Sequence, residues 1–205
     1  MEPEIKMSKI IFTDLDGTLT LRDTYLKFLL KNLTPYIFFK NAPILVMMIV
    51  NHILKKIDDN EVKKITFKML FYGYKQDIDI SDFIKSIPWN YKVLDSIEKK
   101  RLDGYKVVIV TASPDVYVKN VCDYLKYDDF ISTKTMKQND CLTGAFDGEI
   151  CNFEEKPKRI KEFMSGRELE HSISYGNSSG DFEMLKFCDE SYFVNKKNIK
   201  RFEGR

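Results

Sequence analysis

Three short apolar runs, each ending in a polar loop, set the tightest limits on what this chain can fold into. Ile10-Ile11-Phe12 leads into Thr13-Asp14-Leu15-Asp16-Gly17-Thr18, and Lys-Val-Val-Ile-Val-Thr at 106–111 leads into Ala112-Ser113-Pro114-Asp115. Ile173-Ser174-Tyr175 leads into Gly176-Asn177-Ser178-Ser179-Gly180-Asp181. Short apolar runs bounded by turn residues read as buried strands. Helical patterns follow, with Ser113 as the expected N-cap and Pro114 in the first turn of the second. Strand, polar turn and helix in succession argue an α/β fold built on a doubly wound parallel sheet, whose ligands bind at the carboxyl ends of the strands.

Between the first two strands lies a long stretch with little β signal, in which apolar residues recur at helical spacing, as in Tyr25, Phe28 and Leu29 and in Val62, Ile65, Met69 and Leu70. The reading is a core at 1–20 and 100–205 and a helical cap at 21–99, inserted after strand one and placed to act as a lid. Residues 130–135 and 149–153 read as extended segments of a hairpin around 140–148, and 155–164 as a helix. Within the cap, residues 42–50 contain no polar side chain. Nine residues fall short of the ~20 that span a bilayer, so the segment is expected to be a buried helix. A membrane-contacting or lipid-binding surface stays open as well, although Lys55, Lys56, Lys63 and Lys64 are mixed with Asp58, Asp59 and Glu61, which does not favour an anionic membrane.

Composition narrows the class. With 43% apolar and 31% charged residues among 205, disordered and disulfide-stapled classes are excluded. The net charge is +2, and Lys196, Lys197, Lys200, Arg201 and Arg205 against Glu203 place +4 in the last ten residues, leaving −2 for the rest. That offers no broad field for nucleic acid, and the basic tail is expected to be a frayed, solvated end. Cys122, Cys141, Cys151 and Cys188 form no C-x-x-C pair and read as reduced thiols of a cytoplasmic protein. The acidic start, without an apolar stretch before Ser8-Lys9, gives no secretory signal.

Asp14 and Asp16 stand two apart where a strand gives way to a Gly17 turn, so both can address one site. Such a pair can bind Mg2+ and divide the roles of nucleophile and general acid or base; an Asx turn at a strand end would use the same residues without chemistry. The longer string Asp14-Leu-Asp-Gly-Thr18 resembles the first signature of the haloacid dehalogenase superfamily. Val110-Thr111-Ala112-Ser113 resembles its second motif, Lys156 its third, and Gly176 to Asp181 its fourth, in the right order.

The resemblance implies a Rossmann-like core and a Mg2+-dependent phosphomonoester hydrolase working through an aspartyl-phosphate. Asp14 would attack phosphorus, and Asp16, which the dehalogenase members lack, would protonate the leaving oxygen. Thr111 and Lys156 complete the implied catalytic set; Asp14, Asp16, Asn177 and Asp181 the metal set. Thr18, Ala112 and Ser113 would meet the phosphoryl group. Lys156 is preferred over Lys158 and Lys161 because it opens its helix. Asn177 departs from the pattern, which has Asp there, so weaker metal binding is expected. The position of the cap is similar to the phosphoserine phosphatase branch, whose amine-facing acid matches Asp23, equally readable as a helix N-cap. A small metabolite phosphate such as an amino-alcohol phosphate is the implied substrate. The apolar cap also resembles phosphatidylglycerophosphatase-like proteins, which keeps a lipid or cell-envelope phosphate open. A phosphotransferase or mutase would share the same chemistry, and a binding module without activity the same fold.

Overall fold

A computed structural model describes residues 8–74, 80–195 and 198–204. One sheet is built from β1 (Ser8–Thr13), β2 (Lys106–Pro114), β3 (Asp129–Thr133), β6 (Leu169–Gly176), β7 (Glu190–Val194) and β8 (Ile199–Arg201). Its six strands run in the order β3-β2-β1-β6-β7-β8. All pairings are parallel except β7 with β8. Alternation explains the continuous apolar runs. Ile11, Val107, Ile109 and Ile173 point to one packed layer, whereas Ile10, Phe12, Val108 and Val110 point to the other. A strand buried on both faces needs both sets. The sheet is α/β and doubly wound, as expected. Its order reverses between β1 and β6, which opens a crevice at their carboxyl ends.

The excursion after β1 consists of α1 (Thr24–Asn32), α2 (Pro35–Ile53), α3 (Asp59–Phe71) and α4 (Ser81–Lys85). It leaves and returns at one point, where Thr20 bridges Trp89, Leu21 N donates to Pro88 O and Asn90 N to Leu19 O. The next helix, α5 (Tyr91–Leu102), packs on the first loop and on β2, against the sheet. Phe28 of α1 stacks on Phe71 of α3 at 5.1 Å and tilts against Tyr117 of α6 (Asp115–Leu125) at 4.7 Å. Excursion and sheet therefore share one apolar cluster. A hairpin of β4 (Thr135–Gln138) and β5 (Cys141–Phe146) braces α3. There Phe146 meets Phe67 at 4.7 Å, and a Cβ on Gly144 would lie 2.9 Å from the Lys68 Cα.

Four expectations are corrected. β2 continues through Ser113 and Pro114, so α6 starts at Asp115 and Ser113 does not cap it. Residues 149–153 form no strand; the hairpin closes earlier, because the chain reverses at Asn139 and Asp140, both with positive φ. Ile199–Arg201 is not frayed but pairs with β7, and Phe202 packs on Phe182; Lys196, Lys197 and Arg205 lie outside the described residues. Finally, α2 is not a buried helix: Met48 is its one buried residue. The four cysteines are free thiols.

Candidate active site

The loops after β1, β2 and β6 meet because those strands are neighbours, and α7 (Glu155–Phe163) delivers a lysine beneath them. Asp14 follows the last residue of β1, its amide held by Tyr175 O at 2.9 Å, and it is 6% exposed. Lys156, in the first turn of α7, is 1% exposed and spends its three donors on Asp14 Oδ1 (2.7 Å), Asp181 Oδ1 (2.5 Å) and Val110 O (2.9 Å). Lys158 is paired with Glu155 at the surface and Lys161 lies over the Phe187 ring, so neither enters the site.

One ammonium between two buried carboxylates leaves a net negative charge. Burial and the Asp181 charge push the Asp14 carboxyl up to about 7, with Lys156 pulling the other way. Burial works against the charge on Lys156, but Asp14 and Asp181 outweigh it and hold the amine above its ordinary value. For Asp181 burial is outweighed by Lys156 and by two backbone amides, which keep its carboxyl below the usual range. Both oxygens of Asp181 are engaged: Oδ1 by Lys156, Oδ2 by Asn177 N, Ser178 N and Ser178 Oγ at 3.0 Å each. Asp181 thereby orders the loop, and it lines the same cavity as Asp14.

Asp16 is held from two elements. Its Oδ1 accepts from Thr24 N and Thr24 Oγ1, both at 2.6 Å, and its Oδ2 from Ser113 Oγ at 2.6 Å. Ser113, expected to meet a phosphoryl oxygen, is fully buried and turned to Asp16 instead. Thr18 is likewise buried and turned to Asn177, 3.1 Å away. Thr111 and Ala112 line the open cavity, and the Thr111 oxygen accepts from Ser113 N at 3.2 Å. Asp23 caps α1 through Leu26 N at 2.8 Å, as expected of an N-cap, and it also lines the cavity.

The fit to a divalent cation can be judged from Asn177. Its side-chain amide satisfies three neighbouring oxygens by presenting its NH2, to Thr18 Oγ1 at 3.1 Å, Asp14 Oδ2 at 3.2 Å and the Asp16 main-chain oxygen at 3.0 Å. Turned over, the amide would add its own oxygen to those of Asp14 and Asp16, a donor set that suits a hard cation. Gly17 makes the approach feasible, since its φ is +83° and a Cβ would lie 2.3 Å from Asn177 Nδ2.

The cavity has a volume of about 520 Å3 and also includes residues that the sequence did not single out. Asn152 and Ser178 line it, as do Leu26 and Leu29 of α1, Met48 of α2, and Asp59, Asn60 and Lys63 of α3. Asn152 sits in a loop with no motif around it, and nothing in the periodicity of α3 marks Lys63 as inward.

A family model described as haloacid dehalogenase-like hydrolase matches residues 11–186. Protein CicA of Caulobacter vibrioides is 29% identical, over 96% of this chain and 87% of that protein. Among solved structures, a protein of unknown function from Bordetella pertussis Tohama I superposes with a TM-score of 0.73 at 14% identity, covering 91% of this chain and 89% of the other. A substrate-bound phosphoserine phosphatase superposes with a TM-score of 0.61 at 18% identity, covering 91% and 85%. At these identities the structures share the fold.

Proposed function

We propose, because the chain belongs to the haloacid dehalogenase-like hydrolase family, that it hydrolyses phosphate monoesters through an aspartyl-phosphate on Asp14. The observation that carries this is the Asp14 carboxylate lining the cavity, with Oδ1 pinned by Lys156 and Oδ2 meeting the Asn177 amide, which also meets the Asp16 carbonyl. Attack by Asp14 on phosphorus forms one P–O bond and breaks the ester P–O bond. The departing alkoxide takes its proton from Asp16, which then removes a proton from the water that cleaves the aspartyl-phosphate and frees inorganic phosphate. Thr24 and Ser113 aim the Asp16 carboxyl for both transfers, and the Thr111 hydroxyl donates to a phosphoryl oxygen. Lys156 holds the nucleophile in one orientation and offsets charge gathering at phosphorus.

Asp14, the main-chain oxygen of Asp16 and the side-chain oxygen of Asn177 would hold Mg2+, whose charge would screen the repulsion between carboxylate and phosphate. Asp181 acts by positioning Lys156 and Asn177. The helical excursion would serve as the cap over this core, a reading supported by the bridge of Thr20 to Trp89, where its two connecting chains meet.

For the substrate, Asp23 and Lys63 in one cavity provide opposite charges, as an amino-alcohol or serine-like phosphate requires. A bulkier, lipid-linked phosphate is favoured by a separate observation, the apolar lining of Leu26, Leu29 and Met48. Phosphate release from a panel of amino-alcohol, sugar and lipid phosphates, with Mg2+ and with chelator, tests both. Metal-dependent release supports the hydrolase; single-turnover formation of an isomerised ester without free phosphate would replace it with a mutase.

A further inference from the structure

The face of α2 turned away from the protein is apolar where a helix on an aqueous surface is polar. Met48, inside, lines the Asp14 cavity. On the opposite side Tyr36, Phe39, Val46, Met47, Val50, Ile53 and Leu54 are open to solvent, Phe39 at 74% and Ile53 at 72%. The helix has 19 residues and a mean hydropathy of 1.4, long and apolar enough by those measures to cross a bilayer. Its two ends, however, belong to one body. Ile37 packs on the shared core, and His52 Nε2 approaches Asp59 Oδ1 of α3 at 3.6 Å, so the helix lies along the cap instead of projecting from it.

Charge selects what covers this face. From residue 24 to 57 the chain holds Lys27, Lys31, Lys40, Lys55 and Lys56 and no acidic residue. Of the acids that follow, Asp58 caps α3 through Glu61 N at 2.8 Å and Glu61 pairs with Lys64 at 2.9 Å, while Asp59, 3.6 Å from His52 Nε2, stays 90% exposed and offsets part of the Lys55 and Lys56 charge. A second copy of the chain would set this lysine-bearing face against an identical one. An anionic bilayer offers both an apolar interior and negative headgroups. We propose that α2 docks flat on an anionic lipid surface, its outer residues inserted below the headgroups and Lys40, Lys55 and Lys56 at their level.

The test is co-sedimentation of the full chain with mixed phosphatidylserine–phosphatidylcholine vesicles and with pure phosphatidylcholine vesicles. Wild-type protein is expected to sediment with the mixed vesicles and only weakly with the neutral ones. A Phe39→Asp/Val46→Asp variant should lose at least about tenfold in partitioning, with thermal midpoint and aryl-phosphate turnover unchanged, since both side chains already face solvent. Lys55→Gln/Lys56→Gln should lose about an order of magnitude on mixed vesicles alone. A Phe39→Trp variant provides a readout that removes no contact: its emission should shift to the blue on mixed vesicles. The proposal is overturned by wild-type protein that stays in the supernatant, by equal partitioning of the double aspartate variant, or by resistance of the bound protein to alkaline extraction, which would mean a span. A dimer in sedimentation equilibrium that the double aspartate variant dissolves would assign the face to a second copy. Because binding is read without turnover, its failure is distinct from failure of the phosphatase reading.

Discussion

At the residue scale the site is a balance of charges around Lys156. Its ammonium joins two carboxylates that burial would otherwise set against each other. Lys156→Met should therefore do more than abolish turnover. Leaving two buried acids without their cation should cost about 3–5 kcal/mol, measurable by urea denaturation, and unchanged stability would show that the acids find other partners. With the Asp14 carboxyl near 7 in the metal-free protein, protons and Mg2+ compete for one group. Below pH 7 the carboxyl is protonated, so the Mg2+ concentration for half-maximal activation should rise by up to about tenfold per pH unit, whereas above it the requirement should level off. A flat requirement between pH 5 and 8 would contradict the assignment of Asp14 as ligand. Asn177 supplies an oxygen but no charge, so Asn177→Asp should tighten Mg2+ binding about tenfold in a dialysis-based titration; equal affinity would remove the amide from the ligand set. Motif and chain order put Asp14 and Asp16 just after β1, Thr111 in β2 and Lys156 at the start of α7, and the structure brings the four to one cavity. The partners of Ser113 and Thr18 are not legible in the sequence, because a hydroxyl in a motif does not say which neighbour it turns to, and in the structure they turn to Asp16 and Asn177.

At the element scale, loops are shaped by what they must let pass. Gly17 takes a left-handed backbone against Asn177, so Gly17→Ala should cost about 1–2 kcal/mol and weaken Mg2+ activation together, because the new methyl displaces the amide. A loss of stability with unchanged metal response would separate the two effects. The parallel strands are recognisable from their apolar runs, which two-sided burial makes continuous. The hairpin lies several residues before the place its pattern suggests, because its turn uses Asn139 and Asp140 in place of the later Gly148. The exposure of α2 is hidden from the sequence for a different reason: an apolar run reports affinity for a non-aqueous phase, not which phase, and only the tertiary packing of α3 and the core leaves its outer face uncovered.

At the scale of the whole molecule, cap and sheet are organised around Tyr117. Its ring receives Phe28 and Phe83 from the cap, and its hydroxyl lies 3.0 Å from Thr24 Oγ1, next to the group that holds Asp16. Tyr117→Ala should cost about 3–5 kcal/mol in a single cooperative transition, not a separate melting of the cap, because one apolar cluster runs through both. Two calorimetric transitions would instead mean that the lobes fold independently. The same coupling connects fold to chemistry: the helical excursion closes the cavity in which Asp14 would be phosphorylated. The measurement that tests this account most directly is a rapid acid quench of an Asp16→Asn variant turning over an aryl phosphate, whose leaving group needs no proton, followed by peptide mass spectrometry. The account predicts a phosphoryl group on Asp14 that accumulates with Mg2+ and is absent with chelator. Phosphate release by an Asp14→Asn variant, or release by the wild-type chain with no phosphoryl group ever found on Asp14, would contradict it.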